Sequence, residues 1–275
     1  MVDVFRVITE AYELYRENWK SIISAFAVLF VLSIIISGID LVARILGNTI
    51  CEAVDNAILI ILFCIAPPLM QILFQIIDSL LSVVITMAVI TPMGEIAAGK
   101  PISKWESHFT KQIVNAVLVI LLRLLILLVS FAPLIIVVIL NISTLVALKD
   151  RQDITGLLLG GGLIIIVLTL LLGVAVSMIL NYLLQFLEME IVLGGSSIID
   201  AAMKSARLVL SNLADTLVYS VIWFAIGFGV GIVTFILACT ICLIPLAIAV
   251  GALAVEPINL LSRVILWRTF KNLGK

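Results

Sequence analysis

Residues 217–236 form a run of twenty positions without a single charged side chain, long enough to cross the hydrocarbon of a bilayer as one helix. Directly before it, Ile199, Ala202, Ala206, Val209 and Leu213 recur at helical spacing, with Asp200, Lys204, Arg207 and Ser211 between them. Such a helix has one face for hydrocarbon and one for water. Ser197-Ile-Ile-Asp200 has the form of a capping box, in which serine and acid each take an orphan amide of the helix start. An interfacial helix thus hands the chain to a spanning helix. The pattern appears three times, and composition agrees with it. The chain is 64% hydrophobic and 12% charged, against about 45–50% and 25% in ordinary soluble domains, so hydrocarbon must be part of its solvent.

In chain order, 3–20 reads as the first interfacial helix. Val4, Ile8, Ala11, Tyr12, Tyr15 and Trp19 form its apolar stripe, and Arg6, Glu10, Glu13, Glu17 and Lys20 its wet face. These residues include four acids and no compact apolar core, so no cleavable signal is expected there. The first span is 21–45, closing on Asp40 and Arg44 at a spacing that lets them pair. Residues 47–56 read as a loop. The apolar run that follows is too long for one span and short for two. It is read as an interfacial or re-entrant piece at 57–68 and a second span at 72–97, with two full spans as the alternative. Ser103-Lys-Trp-Glu106 repeats the capping-box form before a third span at 113–140 that contains Arg123. A fourth span at 156–187 follows the loop Lys149-Asp-Arg-Gln-Asp153, and a fifth and sixth fall at 216–236 and 240–265.

The expected fold is therefore all-α: a single integral membrane domain over 1–275, with six spans in three hairpins and repeats of about 1–98, 99–187 and 188–275. Twelve of the sixteen Lys and Arg fall in 1–20, 99–112, 188–212 and 262–275. By the positive-inside rule this places both termini in the cytoplasm of a cell-membrane, multi-pass protein. A formal net charge of −1 excludes a generally basic surface and argues against nucleic acid as a partner. Membrane lipids are the expected partners, with homo-oligomerisation left open. Asn18, Asn115 and Asn212 stand at equal spacing near the helix–span junctions, where a short amide can satisfy backbone groups as the chain turns. Repeats of equal orientation allow a pseudo-threefold bundle.

A resemblance rests on these parts. Ala98-Gly-Lys-Pro-Ile-Ser-Lys-Trp after the second span, 191–212 around Ala201-Ala-Met-Lys-Ser-Ala-Arg207, and Pro257 with Leu266-Trp-Arg268 resemble the six-span membrane domain found with some prokaryotic glycerophosphodiester phosphodiesterases, and its stand-alone relatives. The resemblance implies the fold alone. The soluble phosphodiesterase barrel of those fusions has no counterpart here, so their catalytic activity does not carry over.

No enzyme is expected. His-Glu-x-x-His, P-loop and Gly-x-Ser-x-Gly patterns are all missing from the sequence, and His108 is the lone histidine. No cofactor is implied. Gly227-Phe-Gly-Val-Gly231 and Gly160-Gly-Gly162 read as small-residue surfaces for helix packing. Glu95, Glu188, Glu190 and Asp215 sit at predicted cytoplasmic ends, where water or cations solvate them. Arg123 and Glu256 are the deep charges, roughly 15 and 13 Å from the cytoplasmic ends of their spans at 1.5 Å per residue. A buried ion pair between them is expected, structural or lining a pathway. Asp78, roughly 25 Å up, matches Arg123 less well. Cys51, Cys64, Cys239 and Cys242 fall on the outer side. A disulfide with three connectivities for a fully paired set, a metal tetrad and inert thiols are the alternatives, and no metal site is expected. Two functions remain. A non-catalytic membrane scaffold or lipid-associated protein is preferred, because the spans carry few polar residues. The alternative is a transporter or permease for a small or amphipathic solute. A polar cavity reaching Arg123 favours transport, and a dry bundle the scaffold.

Overall fold

The computed structural model describes residues 2–53, 57–147, 163–238 and 249–273, with side chains at 44, 46–53, 57–70, 72, 141–147, 163 and 237–238 left out of the description. Among the described residues every regular element is helical: α1 (Val4–Ala53), α2 (Ala57–Ile96), α3 (Glu106–Ala147), α4 (Leu163–Leu183), α5 (Leu187–Val192), α6 (Ile198–Ser211), α7 (Leu213–Ala238), a π-helical turn (Gly251–Val255) and α8 (Glu256–Leu273). Among the described residues, five helical stretches are long and apolar enough to cross a membrane: Val4–Ala43, Leu73–Ile96, Glu106–Leu140, Ile164–Val192 and Leu213–Ile236. Their outer faces are bare Leu, Ile, Val and Phe, such as Leu124, Leu128, Leu168, Leu172 and Phe235. Only hydrocarbon solvates such faces, and the chain is a membrane-embedded, multi-pass helical protein.

α1 and α2 pair as a long antiparallel hairpin. Ser33 Oγ donates to Asp78 Oδ1 across them at 2.6 Å, and Ile22 shares a cavity wall with Val89 and Met93, which fixes the register. The predicted division of α1 into an interfacial helix and a span does not occur. The helix runs unbroken from Val4, and its start buries Val4, Val7 and Ala11 against α8 rather than lying apart on the membrane surface. Helix also replaces most of the predicted 47–56 loop and the separate piece at 57–68, because α2 continues through Pro67 and Pro68. A break in hydrocarbon would expose several backbone groups, whereas continuing past proline forgoes only the amides that proline lacks. The Asp40–Arg44 pairing cannot be placed, since the Arg44 side chain lies outside the described residues.

Of the three predicted interfacial helices, one stands as a separate element. α6 opens on Ser197, whose hydroxyl oxygen accepts from the Asp200 amide and donates to its carboxylate. Its buried stripe is Ala201, Ser205 and Val209, while Ile199 and Met203 face outward. The small residues let it approach the bundle closely. At 103–106 the capping box does not form. The Ser103 hydroxyl meets His108 Nε2 at 2.9 Å, and the Ser103 amide donates to Glu95 Oε2 at 2.6 Å. Nor do the three asparagines act alike. Asn18 and Asn212 donate to the carbonyls four residues back, Leu14 and Leu208, while Asn115 donates to Gln112.

The predicted sixth span lies partly outside the described residues. Its described part is 249–265, and from Glu256 it belongs to α8, which runs on to Leu273, carries Glu256, Arg263, Arg268 and Lys271 and is a core helix. Leu260, Leu261, Val264, Leu266, Trp267 and Phe270 are buried against α1, α2 and the α5 segment. Contacts draw the four cation-bearing segments to one end of the bundle, where Lys100 lines a cleft with Glu95, Leu193, Trp267 and Arg268. Arg268 Nη1 donates to Gly94 O at 2.8 Å, Lys271 Nζ reaches Glu190, the Val2 amide donates to Asp215 Oδ2 at 3.0 Å, and Thr269 and Leu273 share a cleft with Arg6 and Glu10.

Candidate intramembrane polar site

α4 stops at Leu183, and Ser205 of α6 accounts for the stop. Fully buried, its hydroxyl donates to Leu183 O at 2.9 Å and accepts from the Phe186 amide at 3.2 Å. Those two backbone groups flank the break, and without Ser205 both would be unpaired. Beyond it the chain turns inward as α5, and every residue from Phe186 to Ile191 is buried. A helix apolar all round is a core helix, and here it carries two acids inward with it.

Those acids face different ways. Glu190, 1% exposed, accepts from Trp267 Nε1 at 2.9 Å and pairs with Lys271 Nζ at 3.0 Å. Gly194 makes room for this: a Cβ there would stand 2.6 Å from Glu190 O and 2.8 Å from its Oε2. Glu188 accepts from Arg123 Nη2 on α3. Its carboxylate is buried, and the arginine is half-exposed.

The Arg123–Glu188 pair forms one wall of a cavity of about 230 Å³ between α2, α3, α5 and α8, lined also by Ser82, Thr86, Leu260 and Arg263. Arg263 Nε is buried and, among the described residues, makes no hydrogen bond. Two guanidiniums thus share the cavity with one carboxylate. Beside it the Tyr219 hydroxyl joins Asn259 Oδ1 at 3.0 Å and Ser262 Oγ at 2.8 Å, tying α7 to α8. Ser82 and Thr86 continue a line on α2 at 71, 75, 78, 82 and 86: Gln, Gln, Asp, Ser and Thr at steps of three or four residues. That spacing keeps one helix face polar over roughly 22 Å.

Arg123 is therefore in an ion pair, but the expected partner is wrong. Glu256 is exposed at the start of α8. Equal depth does not choose a partner; helix adjacency does. α3 packs on α2, α4, α5 and α6, and α5 carries Glu188 to it. Glu188, Glu190 and Asp215, expected to meet water or cations, are all buried, the first two on the cations Arg123 and Lys271. Arg263, counted with the terminal cations, was missed as a site residue. The legible signal was Phe186-Leu-Glu-Met-Glu-Ile191, in which the acids have apolar neighbours on every side. Among the described residues, Gly227, Gly229 and Gly231 pack on nothing within 4 Å, whereas Gly173 sits tight against Ser130 and Phe131. The cysteine alternatives and Gly160–Gly162 lie outside the described residues or side chains.

No curated protein and no solved structure matches this chain. Nothing links it to the membrane domains of glycerophosphodiester phosphodiesterases. One family model does match, over residues 61–267, and its description is "Domain of unknown function (DUF7847)". That stretch takes in all but a fraction of α2 and every residue of the polar cavity, and the chain belongs to the DUF7847 family.

Proposed function

We propose that this protein binds a small anionic or amphipathic solute in the Arg123–Glu188–Arg263 cavity and moves it along the polar face of α2, as a transporter or permease. One observation carries the reading: inside a bundle of apolar spans, two guanidiniums face one carboxylate around a cavity of about 230 Å³. Charges at membrane depth are costly, and polar residues there mark substrate pathways. An excess of one positive charge suits an anion, and a bidentate guanidinium suits a carboxylate or phosphate. A non-catalytic scaffold, the reading the sequence favours, has no use for such a cavity. The positive-inside count supports a cell-membrane protein with both termini cytoplasmic.

The test replaces the four native cysteines with alanine and introduces Thr86→Cys. Reaction rates with anionic and cationic methanethiosulfonates are then compared with those of free cysteine. The anionic reagent should be favoured several-fold more at position 86 than in solution, and Arg263→Gln should abolish that preference. If neither reagent reaches position 86, the bundle is dry, and the scaffold reading replaces this one.

A further inference from the structure

A second cavity, of about 370 Å³, lies between α1, α2 and the segment leading into α3. Its floor is apolar, from Ile22, Val89, Met93 and Ile96, and its rim is polar, from Ser21, Ser103, Lys104, Trp105 and Glu106. The wall is held firmly. Glu95 Oε2 takes the Ser103 amide at 2.6 Å, the Lys100 amide donates to Glu95 O at 2.9 Å, and Gly99 turns the chain at a φ of 64° that side chains rarely adopt. Trp105 is set edge-on to Phe109, with ring centres 6.3 Å apart. Its Nε1 is buried and, among the described residues, donates to nothing. An indole N–H in that state usually has a partner.

The cavity sits where charge gives way to hydrocarbon on all three helices. On α1 the last charge of the wet segment is Lys20, whose ammonium stands 5.8 Å over the Trp19 ring, and none follows until Asp40. On α2 the floor residues Val89 and Met93 precede Glu95, the first charge on that side since Asp78, and Ile96 follows it. On α3 Lys104, Glu106 and Lys111 precede the apolar run. Trp and Lys at such a level mark the headgroup zone. An occupant there needs a polar head that accepts hydrogen bonds and an apolar continuation.

We propose that this cavity seats one phospholipid of the surrounding leaflet. Its phosphodiester oxygens accept from the Lys104 ammonium and, after a small turn of the ring that brings the buried Nε1 to the cavity, from the Trp105 indole, and the first methylenes of one chain lie on Val89, Met93 and Ile96. Glu106 shares the rim and balances Lys104, so the seat selects a phosphodiester with a single negative charge or an added amine over a multiply charged head. This site is separate from the Arg123–Arg263 cavity and does not depend on its role.

Native mass spectrometry of the purified protein in mild detergent tests the assignment. The probes are phosphatidylethanolamine, phosphatidylglycerol, a diacylglycerol with the same chains, and inorganic phosphate as competitor. One saturable phospholipid should be retained, with the diacylglycerol at least tenfold weaker. Trp105→Phe, which keeps the ring and removes only the donor, should weaken retention about tenfold, as should Lys104→Gln at an exposed position that cannot disturb the fold. Arg263→Gln should leave it unchanged. Equal retention of diacylglycerol, or full retention by both the Trp105 and Lys104 variants, would overturn the proposal. Displacement of the lipid by millimolar inorganic phosphate would reassign the site to the free anion.

Discussion

Lys271→Met should destabilise this protein more than Glu190→Gln does, although both break the same ion pair. The asymmetry comes from burial. The Glu190 side chain is 1% exposed and the Lys271 side chain 38%. Removing the ammonium leaves a carboxylate inside the core with the Trp267 N–H as its remaining side-chain donor. Removing the carboxylate charge leaves an ammonium that water already reaches, and the new amide oxygen still accepts from Trp267. Breaking a fully buried pair from one side costs about 3–5 kcal/mol. Partial solvation on the lysine side discounts that to about 1–3 kcal/mol for Lys271→Met. Glu190→Gln should cost about 1 kcal/mol or less, the value of a neutral hydrogen bond exchanged for a charged one. The double variant removes both charges together and should cost less than Lys271→Met alone, a coupling of about 1–2 kcal/mol. The assay is unfolding of the detergent-solubilised protein followed by circular dichroism, in which about 1 kcal/mol shifts the midpoint by roughly 2–4 °C. If Glu190→Gln proves the costlier single change, or the two losses simply add, then Glu190 is not a buried carboxylate held by Lys271 and the account of α5 fails.

Three further outcomes follow from close contacts. Gly194→Ala drives a Cβ to 2.6 Å from a backbone oxygen that cannot rotate away. It should lower stability by about 1–3 kcal/mol and shrink the Lys271–Glu190 coupling in the same unfolding assay. Ser205→Ala strands the Leu183 carbonyl and the Phe186 amide and should cost about 1–3 kcal/mol, with faster amide hydrogen exchange at 184–188. Gly173→Ala must displace Phe131 or the Ser130 carbonyl, each 3.0 Å from the new Cβ, and should lower the midpoint; Gly227→Ala enters open space and should be neutral or raise it, by up to about 1 kcal/mol of helix propensity.

The spans were legible because lipid imposes its demand on composition directly. A helix in hydrocarbon must be apolar along nearly its whole length, and 217–236 and, Arg123 apart, 113–140 are so in any arrangement of neighbours. The capping serine of α6 was legible for a similar reason, since Ser197 and Asp200 need only each other. What failed were readings that depend on which helices touch. Gly227, Gly229 and Gly231 have the spacing of a packing surface, but among the described residues α7 meets no neighbour there. The start of α1 has the pattern of an interfacial helix, yet the same amphipathic stripe serves equally to pack Val7 and Ala11 on α8. Amphipathicity states that a face is buried and is silent about what buries it.

The polar cavity shows why depth was an incomplete guide to Arg123. Its depth was estimated along one helix axis, and every carboxylate at a similar level was then an equal candidate. Two facts about α5 break that equality. First, the regular helix is interrupted between α4 and α5, where Ser205 takes over the hydrogen bonds, and the chain passes there from exposed to buried surroundings. Second, each residue from Phe186 to Ile191 is buried, so an acid in that segment must find an internal cation. Glu188 and Glu190 lie two apart, too far round a helix to share one partner comfortably, and two cations on different helices serve them, Arg123 and Lys271. Arg263 joins the cavity but receives neither acid among the described residues. The leftover positive charge follows from that arithmetic of partners. It makes Arg263 the residue whose replacement should change the cavity's preference for anions while leaving both ion pairs standing.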